Sequence, residues 1–261
     1  MGDYSQSGRV ALVTGAGQGV GEGVALSLGA VGALVVVNDL HLDRAEAVVA
    51  VINERGGKAV PATFDATDLD EVIGAVARVE AAVGPIDILV NNVGGGVTSA
   101  GVSERFKDSD PKNWDTWLER NLFASLYVTR AVLPGMVDRG WGRVVQISSG
   151  AGSRGHPFGL ALYGAGKAGV EGALRHIAME EAKSGVTLNA IALGMMSNNA
   201  GNPDREGEPD KATVGTLAGI PMGRFGEPDE IGACVVWLTS ELASYVTAQV
   251  IHVNGGTFQG R

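Results

Sequence analysis

Short apolar runs alternate with longer amphipathic segments along nearly the whole of this 261-residue chain, and no other feature constrains its fold as strongly. The apolar runs are nearly continuous, and several are rich in Val and Ile, as expected for strands buried on both faces. The segments between them carry apolar residues at helical spacing. Strands and helices in alternation form a parallel sheet with helices on both faces. The sequence therefore predicts one α/β domain over residues 1–261, built on a doubly wound parallel sheet of about seven strands.

One late segment breaks this alternation. Residues 195–225 contain Pro203, Pro209 and Pro221 among many Gly and Asp residues. A long irregular insert after the carboxyl end of a strand is where such folds carry a substrate loop. We therefore expect residues 195–225 to border the substrate. The predicted strands are 10–13, 33–38, 59–62, 86–91, 142–148, 186–193 and 250–253, and the predicted helices are 19–29, 42–55, 69–82, 111–139, 163–183 and 228–240.

Composition disfavours several classes of function. The net charge of −9 and the pI near 4.9 are unsuited to a nucleic-acid groove, which needs clustered Lys and Arg. The single cysteine, Cys234, excludes an internal disulfide and a cysteine-based metal cluster, and its helical apolar surroundings predict a packed core thiol. The four histidines have no ligand spacing, so we expect no metal site.

No segment has the pattern of a membrane anchor. The first nine residues are polar, which predicts that no export signal is present. The longest apolar tract, residues 24–37, is interrupted by Gly29 and Gly32 and is too short to cross a bilayer. We therefore expect a soluble, cytoplasmic protein that does not bind membranes.

Glycines dominate the turn that follows the first predicted strand. Gly15, Gly19 and Gly21 have the spacing G-x-x-x-G-x-G and lead into the first predicted helix. Glycine here permits a tight turn, close approach of a pyrophosphate to the backbone and close packing of helix on strand. Free amides at the start of the helix also favour an anion. The turn predicts the dinucleotide site of a Rossmann-type fold, and a glycine loop without a ligand is the alternative.

An acid ends the second predicted strand. Asp39 stands 24 residues after Gly15, where a dinucleotide fold places the carboxylate that binds the adenosine ribose. A carboxylate accepts hydrogen bonds from both ribose hydroxyls and repels a 2′-phosphate. Neither Gln18 nor Leu40, the nearby positions considered for a phosphate-binding base, is positive. The sequence therefore favours NAD over NADP, and the alternative is that Asp39 only caps the next helix.

A phenol and an ammonium lie four residues apart in the segment Tyr163-Gly-Ala-Gly-Lys167. On a helix this spacing places both groups on one face, about one turn apart. A phenol with a pKa near 10 is a poor proton donor or acceptor at neutral pH, but a neighbouring cation stabilises the phenolate. Such a pair suits carbonyl reduction and alcohol oxidation. A solvated surface pair is the alternative.

Together these features resemble the short-chain dehydrogenase/reductase family, in its classical subgroup, over nearly the whole chain. The segments similar to family motifs are the cofactor turn at 14–21, the adenine segment at 64–66, the N-N-A-G motif at 91–94 and the nicotinamide segment at 189–194. The resemblance implies a Rossmann fold that binds NAD. The cofactor-binding residues that we expect are Gly15, Gly17, Gln18, Gly19, Val20, Gly21, Asp39, Leu40, Asp65, Ala66, Asn92, Val93, Gly94, Tyr163, Lys167, Gly194 and Met196.

The resemblance also implies four catalytic groups. Tyr163 would exchange a proton with the substrate oxygen, Lys167 would lower the phenol pKa and hold the ribose hydroxyls, and Ser149 would stabilise the substrate oxygen. Asn121, through its backbone and an ordered water, would extend a proton relay from Lys167. The interval from serine to tyrosine is one residue longer than is usual in the family, so Ser148 and Ser153 are alternatives to Ser149. The sequence also departs from the family at Leu193, which replaces a proline, and at Asn198, which replaces a threonine near the carboxamide.

The implied function is hydride transfer between a nicotinamide and a small secondary alcohol or ketone. The segment 36–40 resembles that of NAD-dependent hydroxyacyl-CoA dehydrogenases, so a 3-hydroxyacyl thioester is an alternative substrate. A non-catalytic cofactor-binding subunit or sensor is the alternative class, because this fold also serves such proteins. The resemblance implies a homotetramer through helices 111–139 and 163–183, with segment 250–261 completing a second interface. We expect residues 95–106 and 195–225 to line the substrate pocket, and packing of their apolar residues against a neighbouring subunit is the alternative.

Overall fold

Seven parallel strands form one sheet in the computed structural model, which describes residues 4–95, 104–157, 159–197 and 211–259. The strand order is β3-β2-β1-β4-β5-β6-β7, and every neighbouring pair is parallel. The predicted doubly wound α/β fold is thereby confirmed. The strands are β1 (Val10–Val13), β2 (Leu34–Asp39), β3 (Lys58–Thr63), β4 (Ile88–Asn91), β5 (Gly142–Ser149), β6 (Val186–Leu193) and β7 (Val250–Val253).

Helices cover both faces of this sheet. Buried residues of α1, α2 and α9 pack on one face, and those of α3, α5 and α7 pack on the other. The strands therefore lie between two apolar layers, which explains why they read as continuous apolar runs. The helices are α1 (Gly19–Ala30), α2 (Leu42–Glu54), α3 (Leu69–Val83), α4 (Trp114–Leu118), α5 (Ala124–Arg139), α6 (Gly150–Ser153), α7 (Ala161–Glu180), α8 (Lys211–Ala218) and α9 (Pro228–Thr239).

The predicted helix 111–139 has three parts. A 3-10 turn at Pro111–Asn113 leads into α4, and a π-helical turn at Glu119–Phe123 separates α4 from α5. Within that turn the Asn121 side chain donates a hydrogen bond to the Trp117 carbonyl, 3.1 Å away, and so takes up an acceptor that a regular α-helix would use. Such π turns occur frequently at functional sites.

Two helices lie where no helix was predicted. Short helix α6 begins directly after β5, where the Ser149 hydroxyl accepts a hydrogen bond from the Ala151 amide. Helix α8 lies inside the predicted loop 195–225, of which residues 198–210 are outside the described part. The Cys234 thiol is half-buried against the core, and burial raises its pKa to about 11. In the described ranges, no helix has the length and apolarity needed to cross a membrane.

Candidate active site

The chain reverses its direction across the sheet between β1 and β4, which lie side by side in the middle of the strand order. In doubly wound folds the crevice at the carboxyl ends of such strands is where ligands bind. The glycine turn follows β1 and the Asn-Asn-Val-Gly segment follows β4, so both face this crevice. The tertiary fold thus brings together two motifs that are far apart in sequence.

The glycine turn has the geometry of a dinucleotide cradle. Gly15 and Gly19 have φ of 59° and 61°, in the left-handed region that favours glycine. A Cβ on Gly21 would lie 2.3 Å from the Gly15 carbonyl oxygen, so only glycine lets α1 start this close to the turn. Gln18 gives the first turn of α1 no side-chain cap, which leaves its amides available to an anion. These features fit a bound pyrophosphate.

Asp39 lies against this turn. Its side chain is 7% exposed, and its carboxylate accepts hydrogen bonds from the Gly17 amide at 3.1 Å and the His41 amide at 3.0 Å. His41 is the residue that precedes α2, and it gives that helix no side-chain cap. Asp39 therefore links the end of β2 to the glycine turn and does not cap the first turn of α2.

Arg44, a residue that the sequence motifs did not indicate, lies beside the glycine turn. A Cβ on Gly17 would be 2.7 Å from the Cβ of Arg44 and 2.6 Å from the Asp39 carboxylate. Arg44 is exposed in the first turn of α2, so the winding of that helix brings it back to the glycine turn. The sequence reasoning considered only Gln18 and Leu40 as partners of a phosphate. The start of a helix directly after β2 was a signal that residues of its first turn also border this site.

The structure distinguishes the three candidate serines. Ser149 is the serine that acts on the Tyr163 phenol, because burial raises the pKa of Tyr163 and hydrogen bonding by Ser149 lowers it. The Ser148 hydroxyl is buried and donates to the carboxylate of Glu171 at 2.5 Å, and Ser153 lies 3.5 Å from the other oxygen of that carboxylate. Ser149 is thus the serine that shares a site with Tyr163.

Lys167 is buried one turn after Tyr163 on α7. Its Nζ donates to the Ile147 carbonyl at 2.9 Å and lies 5.9 Å from the centre of the Tyr163 ring. Burial lowers the pKa of Lys167 to about 8, and the Glu171 carboxylate opposes that change. Burial also raises the pKa of Tyr163, which the Ser149 hydrogen bond only partly offsets. Burial therefore outweighs hydrogen bonding at the Tyr163 phenol, and the lowering of its pKa by Lys167 together with the nicotinamide stays a prediction.

Asn121 and Gly94 complete this cluster. The Asn121 side-chain oxygen accepts a hydrogen bond from the Gly95 amide at 3.0 Å, and its side chain is fully buried. Gly94 has φ of 151°, and a Cβ there would lie 2.8 Å from Lys167 Nζ and 2.9 Å from the Asn121 oxygen. Glycine at this position is what allows the lysine and the asparagine to approach the end of β4.

The remaining predicted cofactor residues differ in their burial and in their contacts. The Asn92 and Val93 amides donate to the Thr14 hydroxyl and join the end of β4 to the glycine turn. The Met196 side chain, in contrast, is buried in the core and borders a small cavity, and its contact with the cofactor stays a prediction. Asn198 lies outside the described residues. Val20 is half-buried beside the turn, and Gln18 and Leu40 are exposed there. Asp65 and Ala66 follow β3, and Gly194 follows β6.

A cleft of about 430 Å³ opens beside Tyr163. Residues of the segment 104–120 form one wall, with Phe106, Trp114 and Trp117 as its aromatic members, and residues 159–163 form the other. The prediction placed 195–225 in the pocket wall, but the described residues of that segment border a separate cavity of about 80 Å³. Residues 96–103 and 198–210 are not described, so their expected place beside the substrate stays a prediction.

Known proteins share this sequence and fold. A family model described as enoyl-(acyl carrier protein) reductase matches residues 15–257. The 3-oxoacyl-[acyl-carrier-protein] reductase FabG of Thermotoga maritima is 36% identical over 249 residues, which are 95% of this chain and 97% of that protein. The chain belongs to the short-chain dehydrogenase/reductase family. This confirms the family resemblance that the sequence motifs predicted.

Two solved structures show what related short-chain dehydrogenase/reductases bind. A 3-oxoacyl-[acyl-carrier protein] reductase from Brucella melitensis with bound NAD has a TM-score of 0.89 and 30% identity, over 99% of this chain and 94% of that one. A gluconate 5-dehydrogenase from Burkholderia cenocepacia J2315 in complex with NADP and tartrate has a TM-score of 0.87 and 30% identity, over 97% and 96%. The chain is accordingly an oxidoreductase with a fold that binds a nicotinamide cofactor.

Proposed function

We propose that this short-chain dehydrogenase/reductase uses NAD(H) to interconvert a secondary alcohol and a ketone, and that its substrates are 3-oxoacyl and 3-hydroxyacyl thioesters. The observation that carries the proposal is Tyr163 at the wall of the cleft, with the buried Lys167 Nζ 5.9 Å from the centre of its ring and Ser149 acting on its pKa. An acid, a hydrogen-bond donor and a cation thus meet where a carbonyl oxygen can enter.

The protein groups have distinct roles in this reaction. When bound, the nicotinamide supplies or accepts the hydride. The Ser149 hydroxyl holds the substrate oxygen, and the Tyr163 hydroxyl gives that oxygen a proton in reduction or removes it in oxidation. Lys167 supplies the positive charge that the Tyr163 phenolate needs against the cost of burial. Asn121, fixed by the Gly95 amide, orders the end of β4 beside Lys167 and extends the path of the proton.

The choice of NAD rests on Asp39. Its carboxylate is held by the Gly17 amide at the edge of the cradle, where it would accept hydrogen bonds from the ribose and repel a 2′-phosphate. The glycine turn would hold the pyrophosphate, Asp65 the adenine, and Asn92 to Gly94 with Tyr163 and Lys167 the nicotinamide half. Arg44 weakens the repulsion, so we expect a finite preference for NAD rather than exclusion of NADP.

The thioester proposal rests on the relatives and on the cleft. The related proteins from Thermotoga maritima and Brucella melitensis are named as reductases of 3-oxoacyl groups carried on a protein. A long acyl chain needs an open, largely apolar channel, and the wall with Phe106, Trp114 and Trp117 provides such a surface beside Tyr163.

A substrate panel tests the proposal. Purified protein is given NADH with acetoacetyl-CoA, a cyclic ketone or 5-ketogluconate, and consumption of NADH is followed in parallel with the Tyr163→Phe variant. We expect the highest kcat/KM with acetoacetyl-CoA and almost none in the variant. Highest efficiency with the sugar acid would refute the thioester class. Binding of NADH without turnover of any substrate would indicate the non-catalytic alternative.

We also propose a homotetramer. Phe123 is 39% exposed at the start of α5 and Met179 is 68% exposed near the end of α7, so both predicted interface helices present apolar surface. The face of α7 that includes Val170 and Leu174 belongs to the core of one protomer instead. Light scattering at micromolar concentration tests the assembly, and a monomer would contradict it. The cytoplasmic location stays a prediction.

A further inference from the structure

Three successive residues at the end of β5 bind three residues of α7. The Ile147 carbonyl accepts a hydrogen bond from Lys167 at 2.9 Å, and the Ser148 hydroxyl donates to Glu171 at 2.5 Å. Burial raises the pKa of Tyr163, and Ser149 lowers it by hydrogen bonding. The three α7 residues are spaced by four, which places them along one face of the helix. Two of them belong to the proposed catalytic group, but no motif accounts for Glu171.

The carboxylate of Glu171 is buried, where a negative charge is energetically unfavourable. It is 3% exposed, and burial of a charge is unfavourable unless the charge is paired and hydrogen-bonded. Its oxygens contact the hydroxyls of Ser148 and Ser153, and Lys167 is the cation on which it acts. A Cβ on Gly152 would lie 2.8 Å from the same carboxylate, so α6 also folds closely around it. The acid therefore joins β5, α6 and α7.

We propose that Glu171 is a positioning residue for the active site: through Ser148 it fixes the end of β5 against α7, so that Ile147 and Ser149 stay beside Lys167 and Tyr163, and its carboxylate lies one helical turn from Lys167. The inference rests on the proposed function, because it assigns Glu171 to the same acid–base group. Ser148, an alternative to Ser149 in the sequence, then has a separate task as the link to Glu171.

The charges around Lys167 support this role. Burial lowers the pKa of Lys167 to about 8, and Glu171 is the charged group that raises it. On the same face of α7, Tyr163 lies one turn before Lys167, and the exposed Arg175 lies one turn after Glu171. Three groups from other elements approach the Lys167 Nζ, and all three are uncharged: Ile147 of β5, Asn121 of the π turn and Gly94 after β4. Without the carboxylate, the lysine would lose its proton at a lower pH.

The sign of the effect follows from the proposed reaction. Alcohol oxidation needs Tyr163 deprotonated and Lys167 protonated, so loss of the lysine proton sets the alkaline limit of kcat. Removal of a nearby opposite charge shifts a pKa by about one unit or more. Glu171→Gln, which keeps the shape and an acceptor for Ser148, should move the alkaline limit down by about one pH unit and reduce kcat at pH 8 by roughly fivefold.

Two further variants separate charge from position. Ser148→Ala removes the link to β5 but keeps the carboxylate, so kcat should fall while the alkaline limit stays near that of wild type. Glu180→Gln makes the same charge change on an exposed residue at the end of α7 and should leave the profile unchanged. The dissociation constant of NADH is measured against pH by fluorescence. In Glu171→Gln it should begin to rise at a lower pH than in wild type, because Lys167 also holds the ribose.

The experiment is a set of pH profiles of kcat and of NADH affinity for the wild type and these three variants, with Tyr163→Phe in parallel. A Glu171→Gln profile that superimposes on those of wild type and Glu180→Gln would overturn the inference. If Glu171→Gln does not fold, the Ser148→Ala result decides, and unchanged kcat there would also overturn it. Undiminished turnover by Tyr163→Phe would refute the proposed function itself, which is a separate outcome.

Discussion

Replacement of Asp39 by Asn tests the basis of cofactor choice. Asn keeps a side-chain oxygen for the Gly17 amide, which lies 3.1 Å from the carboxylate, and so preserves the contact between β2 and the glycine turn. What it removes is the negative charge. Because Asp39 is 7% exposed, that charge is only partly screened by water. We therefore expect the substitution to change the ratio of NAD to NADP efficiency more than the stability of the fold.

The expected magnitude follows from Coulomb's law. Two unit charges about 5 Å apart interact by about 1 kcal/mol in water and about 3 kcal/mol at an effective dielectric constant of 20. The exposed Arg44 would return about 0.5 to 1 kcal/mol by attracting the 2′-phosphate. At the buried Asp39 the larger repulsion applies, so a net repulsion of about 2 to 2.5 kcal/mol remains and the wild type should prefer NAD by roughly 30- to 70-fold in kcat/KM. Asp39→Asn should bring the two cofactors to within about threefold of each other.

Arg44 provides the second half of the test. In the Asp39→Asn background, Arg44→Gln should weaken NADPH binding by roughly two- to fivefold and leave NADH binding unchanged. Arg55→Gln, the same change at the other end of α2, is the matched control. The assays are kcat/KM with both cofactors and dissociation constants from fluorescence titration. Equal use of both cofactors by the wild type, or a ratio that Asp39→Asn does not alter, would refute the role of the carboxylate. An NADPH affinity that Arg44→Gln does not lower would refute the role of the cation.

Three further substitutions test the catalytic group. Tyr163→Phe should lower kcat by about 100- to 10,000-fold with little change in NADH affinity, because it removes only the proton donor; turnover above a tenth of wild type would contradict the assignment. Ser149→Ala should lower kcat by about 100- to 1,000-fold, and a larger loss from Ser148→Ala in the same assay would show that the two serines are assigned in the wrong order. Gly94→Ala should lower kcat at least tenfold and reduce the melting temperature, because φ at this residue is 151° and the new Cβ would meet Lys167 Nζ. Calorimetry and measurement of kcat check this prediction. An unchanged kcat would mean that the lysine does not need its present position.

The sequence by itself was sufficient to predict features that depend only on residues close together in the chain. A strand buried on both faces must be apolar along its length, so the runs at β1, β5 and β6 could be recognised without knowledge of their partners. The glycine turn is equally local, because Gly15 and Gly19 adopt positive φ within one short segment. The spacing of Tyr163 and Lys167 on one helix belongs to the same class of signal.

Contacts between distant segments were decided only by the tertiary structure. Ser148 and Ser149 are neighbours in sequence, but their hydroxyls act on Glu171 and Tyr163, two different residues of α7. The place of Arg44 beside Gly17 depends on how α2 winds after β2. No local pattern encodes these distances, because they are set by how the helices pack on the sheet. For that reason, the alternation of strands and helices determined the fold, and the packing of α7 on β5 determined which serine and which carboxylate serve the site.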